Sequence, residues 1–285
     1  MRYLGTHVST VGGVSQAPLR AAEIPVNAIQ FFAKNNNQWL VKAMPSAAEA
    51  DAYLSNCESC GVKVAFSHAG YLINLASSDP KNGPLSVESL MQEMELARLL
   101  RLDFVVLHPG AHVGQGVPVG ISRIAENINR ILEKFSGIKT KLLLETTAGQ
   151  GTCIGHTFEQ LAAILEKIEA RDMMGICLDT AHVFAAGFDI RTREGYEKMW
   201  RDFDKIIGLK NLKAMHLNDS KTPLGSRVDR HEHIGLGQIG DAGFKMLMQD
   251  TRFEKTPMAL ETPKGDDFVK WDRMNLEKLS SFCQR

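Results

Sequence analysis

Eight apolar, β-branched runs recur along this 285-residue chain, and the last six all stop on a side chain that can bind a metal. The runs VKVAFSH, DFVVLH, KLLLE, GICLD, KAMH and PMALE end on His68, His108, Glu145, Asp179, His216 and Glu261. RYLGTH, ending on His7, and NAIQFFAK, ending on Lys34, complete the set. Each gap between runs is long enough to hold a helix. Strand and helix alternating at that regularity predict a single (β/α)8 TIM-type barrel over residues 1–285. The strands of such a barrel deliver their C-terminal ends to one shared mouth. Metal-competent side chains converging on that mouth point to an enzyme's metal site.

The length suits one such barrel, and a hydrophobic content of 44% is ample for its core. No stretch is long or apolar enough to span a membrane. The N-terminal MRYLGTHVST lacks the charged and apolar regions of a secretory signal, so a cytoplasmic protein is expected. Five cysteines, an odd number, argue against a disulfide framework. Cys57 and Cys60 form a CxxC with no second pair after it. The preceding PSAAEADAYLSN reads as helix, so this pair is expected to be inert. With no coiled-coil heptads, a monomer is the default.

Helical patterning fills the gaps. Ile121, Ile124, Ile128, Ile131 and Phe135 fall on one face of a helix, as do Tyr196, Trp200, Phe203 and Ile207. Thr157 and Gln160 suggest a capping box ahead of Phe158, Leu161 and Leu165. The segments after the strands differ in character, being dense in Gly, Asn, His, Asp and Ser. The longest, from His216 to Gly240, has little helical periodicity. A structureless insertion of that size in a compact domain is usually functional.

Imidazole and carboxylate without thiolate suit catalytic zinc, manganese or iron(II). Three loop residues join the six strand ends: His182, three after Asp179, and the pair Asp229 and His231. Nine ligands are too many for one ion and about right for three. Neighbouring divalent ions suit phosphoryl transfer, because they stabilise both the attacking and the leaving oxygen. The chain is formally neutral, with 33 basic and 33 acidic residues. It therefore has no global excess of charge for nucleic acid, but three divalent ions would outweigh the ligand carboxylates locally.

The segments LHPGAH, LDTAH, HLNDSK and, most specifically, GSRVDRHEHIGLGQIG resemble the signatures of the endonuclease IV family of apurinic/apyrimidinic endonucleases. The resemblance runs from GTHVS to ALETP, nearly the whole chain. It implies three Zn2+ ions, with Mn2+ acceptable at some sites. His68, His108 and Glu145 would hold the first; Glu145, Asp179, His216 and Glu261 the second; His182, Asp229 and His231 the third. It also implies incision of duplex DNA 5′ to an abasic site, leaving a 3′ hydroxyl and a 5′ deoxyribose phosphate, and repair of 3′-blocked ends. Glu145 and Glu261 would orient the attacking hydroxide.

The same resemblance makes Tyr71 and Leu72 the wedge that enters the minor groove at the lesion. It puts Asn37 and Gln38 in a second DNA-contacting loop. Family members commonly carry arginine at the position of Asn37, a departure expected to weaken the hold on the base stack. Arg227 and Arg230, flanking Asp229, are expected phosphate contacts. His7 and His112 are expected near the mouth, supporting a ligand or meeting a phosphate; His233 is expected to pack its loop, and His156 to face solvent. Two rival readings stay open. One is a sugar isomerase or epimerase with a single metal on Glu145, Asp179, His216 and Glu261, which leaves five further ligands without purpose. The other is a catalytically silent binder of abasic sites, in which erosion of the ligand set is expected.

Overall fold

A computed structural model describes residues 2–283. Its centre is a closed barrel of eight parallel strands: β1 (Leu4–His7), β2 (Ala28–Phe31), β3 (Val64–His68), β4 (Phe104–Leu107), β5 (Lys141–Glu145), β6 (Met174–Asp179), β7 (Leu212–His216) and β8 (Met258–Leu260). Neighbours in the chain are neighbours in the barrel, and β8 closes it by pairing with β1 through Leu4↔Met258 and Thr6↔Leu260. The expected barrel is the observed one. The second run was read through to Lys34, but β2 ends at Phe31, where its ladder with β3 stops at Ser67.

Nine helices are described: α1 (Gln16–Ala21), α2 (Ala47–Ser59), α3 (Asn82–Leu99), α4 (Val117–Lys134), α5 (Phe158–Glu166), α6 (Thr180–Ala186), α7 (Arg193–Ile206), α8 (Gly240–Gln249) and α9 (Phe268–Ser281). The stripe Ile121, Ile124, Ile128 and Ile131 of α4 is buried, and Tyr196, Trp200 and Phe203 of α7 are too. Thr157 caps α5 by accepting from the Gln160 backbone N–H at 3.3 Å. The reciprocal arm of the expected capping box is missing, because the Gln160 side chain accepts from Gly155 N at 2.7 Å instead. Gly155 sits at φ +103° with the Glu145 carbonyl close by, so that glutamine secures the turn that passes behind Glu145. Cys57 near the end of α2 is a free thiol that burial pushes up to about 11. Among the described residues no helix is long and apolar enough to cross a membrane.

Two layers of side chains meet inside the barrel. Phe66, Val106, Leu143, Cys177, Ala214 and Ala259 form a separate buried cluster, one residue from each of six strands. Each stands two positions before His68, His108, Glu145, Asp179, His216 or Glu261. Side chains in a strand alternate faces with period two. An apolar plug residue facing inward therefore obliges the residue two further on to face inward as well, one layer nearer the mouth.

The His216–Gly240 segment, expected to lack regular structure, holds a short antiparallel ladder of Asp219–Ser220 with His231–Glu232. Its organiser is Asp219, fully buried, whose carboxylate accepts from the backbone N–H groups of Ser220, Gly235, Gly237, Ile239 and Gly240 at 2.8–3.2 Å. Gly237 lies so close to Asp219 Oδ1 that a Cβ there would meet it at 2.5 Å. Hydrogen bonds to an ionised group contribute about 1.5–3 kcal/mol each, and orphaning buried donors adds to their loss. Asp219→Ala is therefore expected to cost about 3 kcal/mol or more in denaturant unfolding, and to loosen the ladder that carries His231. A variant with unchanged stability would show that the loop holds its form without this carboxylate.

Candidate metal centre

Glu145 closes β5 with no exposure to solvent. Its Oε2 lies 2.9 Å from His68 Nε2 and 3.1 Å from His108 Nε2, while Oε1 lies 2.8 Å from His216 Nδ1 and 3.4 Å from His182 Nδ1. Each of its oxygens thus belongs to a different group of donors. The structure brings together His68, His108 and Glu145; Glu145, Asp179, His216 and Glu261; and Asp179, His182 and His231, with donor atoms in each group within 4.8 Å of one another. Asp229 stands at the edge of the third group, its Oδ2 3.1 Å from His182 Nε2 and its Oδ1 3.3 Å from His231 Nε2. All nine expected ligands are therefore gathered at one mouth. The third group differs from the expected set in including Asp179.

The local fold explains each placement. Asp179 ends β6 and is also the N-cap of α6, its Oδ1 accepting from His182 N at 2.9 Å. That cap starts the helix at the strand's last residue and puts His182 on its first turn, facing the mouth. Asp229 N donates to Gln150 Oε1 at 3.1 Å, and His231 is held by the ladder with Ser220. Backbone carbonyls then orient the rings: His68 Nδ1 lies 2.8 Å from Ala69 O, His182 Nδ1 2.8 Å from Thr146 O, and His231 Nδ1 3.2 Å from Glu261 O. In each case the other nitrogen is left for the centre, as the ring of a metal-binding histidine requires.

Electrostatics describe a pocket that demands positive charge. Burial works against ionisation of Glu145, but His216 and His108 beside it hold the carboxyl well below the usual carboxylate range. Glu261 is likewise opposed by burial, yet His216 above all brings it down to about 2. Burial should strip the proton from His182, but Asp179, Asp229 and Glu145 raise it well above an ordinary imidazole. Nε2 of His182 and of His231 is buried with no properly directed hydrogen-bond partner, although Asp229 stands close to both. Ionised carboxylates, imidazoles held charged only by their neighbours and two orphaned ring nitrogens fit a set of divalent cations.

Residues outside the expected ligand set hold it in place. Gln30 of β2, fully buried, accepts from His216 Nε2 at 2.6 Å through Oε1, while its Nε2 donates to Glu261 Oε1 at 2.5 Å and to His7 Nδ1 at 3.0 Å. Burial pushes His7 down to about 3, so it meets Glu261 as a neutral ring that accepts from Gln30. Asn218 donates to Asp179 Oδ2 at 2.6 Å and accepts from Glu261 N at 2.8 Å. Thr146 Oγ1 accepts from Asp179 N at 2.9 Å. Gln30 had a visible signal, an amide inside the apolar run NAIQFF; Asn218 and Thr146 had none beyond following a ligand strand.

Around this centre Tyr71 is 65% and Leu72 37% exposed, with Tyr71 edge-on to Phe32 at 5.3 Å and 6.2 Å from the His68 ring. Asn37, Gln38, Arg227 and Arg230 are exposed in their loops. Arg227 has φ 54°, a left-handed conformation uncommon outside glycine. His112 turns into its own loop, accepting from Gly116 N at 3.2 Å. His233 packs its loop, stacked 4.7 Å from Trp271. His156 is half-buried against Gly149 rather than facing solvent, its Nδ1 3.2 Å from Cys153 O.

Residues 18–281 match the model of a family described as a xylose isomerase-like TIM barrel. A curated relative from Geobacter sulfurreducens, named probable endonuclease 4, is 46% identical over 99% of this chain and 95% of its own. The crystal structure of endonuclease IV from Thermus thermophilus superposes with TM-score 0.86 at 35% identity, covering 99% of this chain and 98% of the other. A D-tagatose 3-epimerase-like protein, at TM-score 0.72 and 21% identity over 99% and 98% of the two chains, shares the fold alone. With its barrel, its mouth and its full-length relatives agreeing, this chain belongs to the endonuclease IV family.

Proposed function

We propose that this endonuclease hydrolyses the phosphodiester 5′ to abasic sites in duplex DNA, leaving 3′-hydroxyl and 5′-deoxyribose phosphate ends, and clears blocked 3′ ends. In this reading it works as a cytoplasmic monomer with three divalent ions, zinc at most sites and manganese acceptable. The observation that carries the reading is the sharing of Glu145 and Asp179 among three adjacent donor groups, since one sugar-isomerising metal has no use for His68, His108, His182 and His231.

His68, His108 and Glu145 would hold one ion, Glu145, Asp179, His216 and Glu261 a second, and His182, Asp229 and His231 a third, with Asp179 beside it. Divalent ions, when bound by these residues, would supply Lewis acidity that lowers the pKa of water toward ~7 and offsets developing phosphate charge. Glu145 and Glu261, which the imidazoles beside them hold ionised against burial, would orient an attacking water by accepting its hydrogen bonds rather than by storing its proton. Gln30 fixes the direction of the Glu261 carboxylate from behind. The apolar plug beneath leaves the mouth as the approach for water and phosphate. Tyr71, exposed 6.2 Å from the His68 ring, and the exposed Leu72 next to it would fill the gap left by a missing base. Arg227 and Arg230 would meet the flanking phosphates.

Incision of a labelled duplex bearing one tetrahydrofuran abasic analogue tests the reading, because that analogue excludes β-elimination. Cleavage immediately 5′ to the lesion is expected, lost on prolonged chelation and restored by zinc or manganese. Intact DNA with protein holding about three metals per chain would overturn it. Glu145→Gln is expected to lower kcat/KM at least about a thousandfold, roughly 4 kcal/mol of transition-state stabilisation, and to reduce the metal content measured by elemental analysis. Retained metal and rate would remove Glu145 from its shared position. Asn37→Arg is expected to tighten binding to the lesion duplex and to steepen the dependence of log K on log salt by about one. An unchanged affinity and slope would mean that residue 37 does not touch the DNA.

A further inference from the structure

Helix α3 breaks the pattern of an amphipathic barrel helix. Ser86, Ser89 and Glu93 are all buried, at most 1% exposed, and at spacings of three and four they share one face. That face belongs by rule to apolar packing. Each of these side chains instead engages a loop at the mouth. Ser89 Oγ donates to Trp39 O at 2.7 Å, and Ser86 Oγ accepts from Asn74 N at 3.0 Å. Glu93 Oε1 accepts from Gly70 N at 3.1 Å and lies 3.3 Å from Lys34 Nζ. Lys34 in turn donates to Gln38 O at 2.9 Å. The Lys34 and Glu93 side chains are both 1% exposed. A Cβ on Gly70 would sit 3.2 Å from Asn36 O and 3.3 Å from Lys34 Nζ, so the two loops already touch.

A buried ion pair is an expensive way to gain stability, because desolvation offsets its attraction. Its use here is geometric. One end reaches the backbone of the loop carrying Asn37 and Gln38, the other the backbone immediately before Tyr71 and Leu72. We propose that Lys34 and Glu93, on the polar face of α3 with Ser86 and Ser89, are positioning residues that set the spacing between these two loops and so the enzyme's grip on lesion-bearing duplex. The inference rests on the reading of the two loops as DNA contacts. The metal ligands do not take part in it, since none of these hydrogen bonds reaches one.

The experiment replaces the pair by apolar side chains of similar size, Lys34→Met with Glu93→Met. Such exchanges of a buried pair tend to preserve stability while removing every hydrogen bond that the pair makes. Metal content, thermal midpoint, and kcat and KM on the tetrahydrofuran duplex are measured beside the wild type. The expected result is KM raised about 10- to 100-fold, with kcat at saturation, metal content and thermal midpoint close to wild type. Ser89→Ala, which loses only the donor to Trp39 O, is expected to raise KM in the same direction by a smaller factor and serves alone if the double variant fails to fold. Unchanged KM in a folded double variant, or in Ser89→Ala where the double variant is unfolded, overturns the inference. A fall in kcat and metal content without a rise in KM also overturns it, by assigning the pair to the centre. Wild-type protein with no preference for the lesion overturns the reading of the loops, and this inference with it.

Discussion

Glu145 places a carboxylate at the fully buried centre of the mouth, and the positions of four imidazoles follow from having to balance it. Burying one charge in a protein interior costs several kcal/mol unless partners surround it closely. His68, His108, His182 and His216 reach it from β3, the end of β4, α6 and β7. The rings of His68 and His182 are held by carbonyls and that of His216 by Gln30, while Asp229 and Glu261 stand against His182 and His216 from the far side. The result is a network in which one carboxylate is shared by four imidazoles.

The barrel makes that network reachable through strand parity. Six inward plug residues sit two positions below six candidate ligands, so the packing that closes the barrel also aims their side chains. A shift of one residue in any of these strands would turn its plug outward and remove its ligand in the same movement. Fold and site are thus specified by one constraint rather than two.

This is why so much of both could be read in advance. Strand runs ending on His, Glu or Asp are local and periodic, and parity carries them to the mouth without knowledge of the tertiary structure. The loop candidates His182, Asp229 and His231 were harder to single out, since none ends a barrel strand, and their grouping around one ion rested on the resemblance of the motif. Features that depend on distant partners were not legible. Asp219 looks like any loop aspartate until its five backbone donors are assembled around it. Gln160 satisfied the spacing of a capping box, yet a tertiary need at Gly155 claimed its side chain. Ser86, Ser89 and Glu93 of α3 carried no signal of their own, and only the loops lying over them give their burial a reason.

Six of the nine candidate donors stand at or just past the ends of barrel strands, whereas Asn37, Gln38, Tyr71 and Leu72 stand on loops anchored by a separate set of hydrogen bonds. Inheritance can therefore act on the two independently. An exchange such as asparagine for arginine at position 37 leaves the centre's own hydrogen bonds untouched, because none of them runs through that side chain. Over longer divergence the same separation lets a lineage rewrite what it recognises around a constant scaffold.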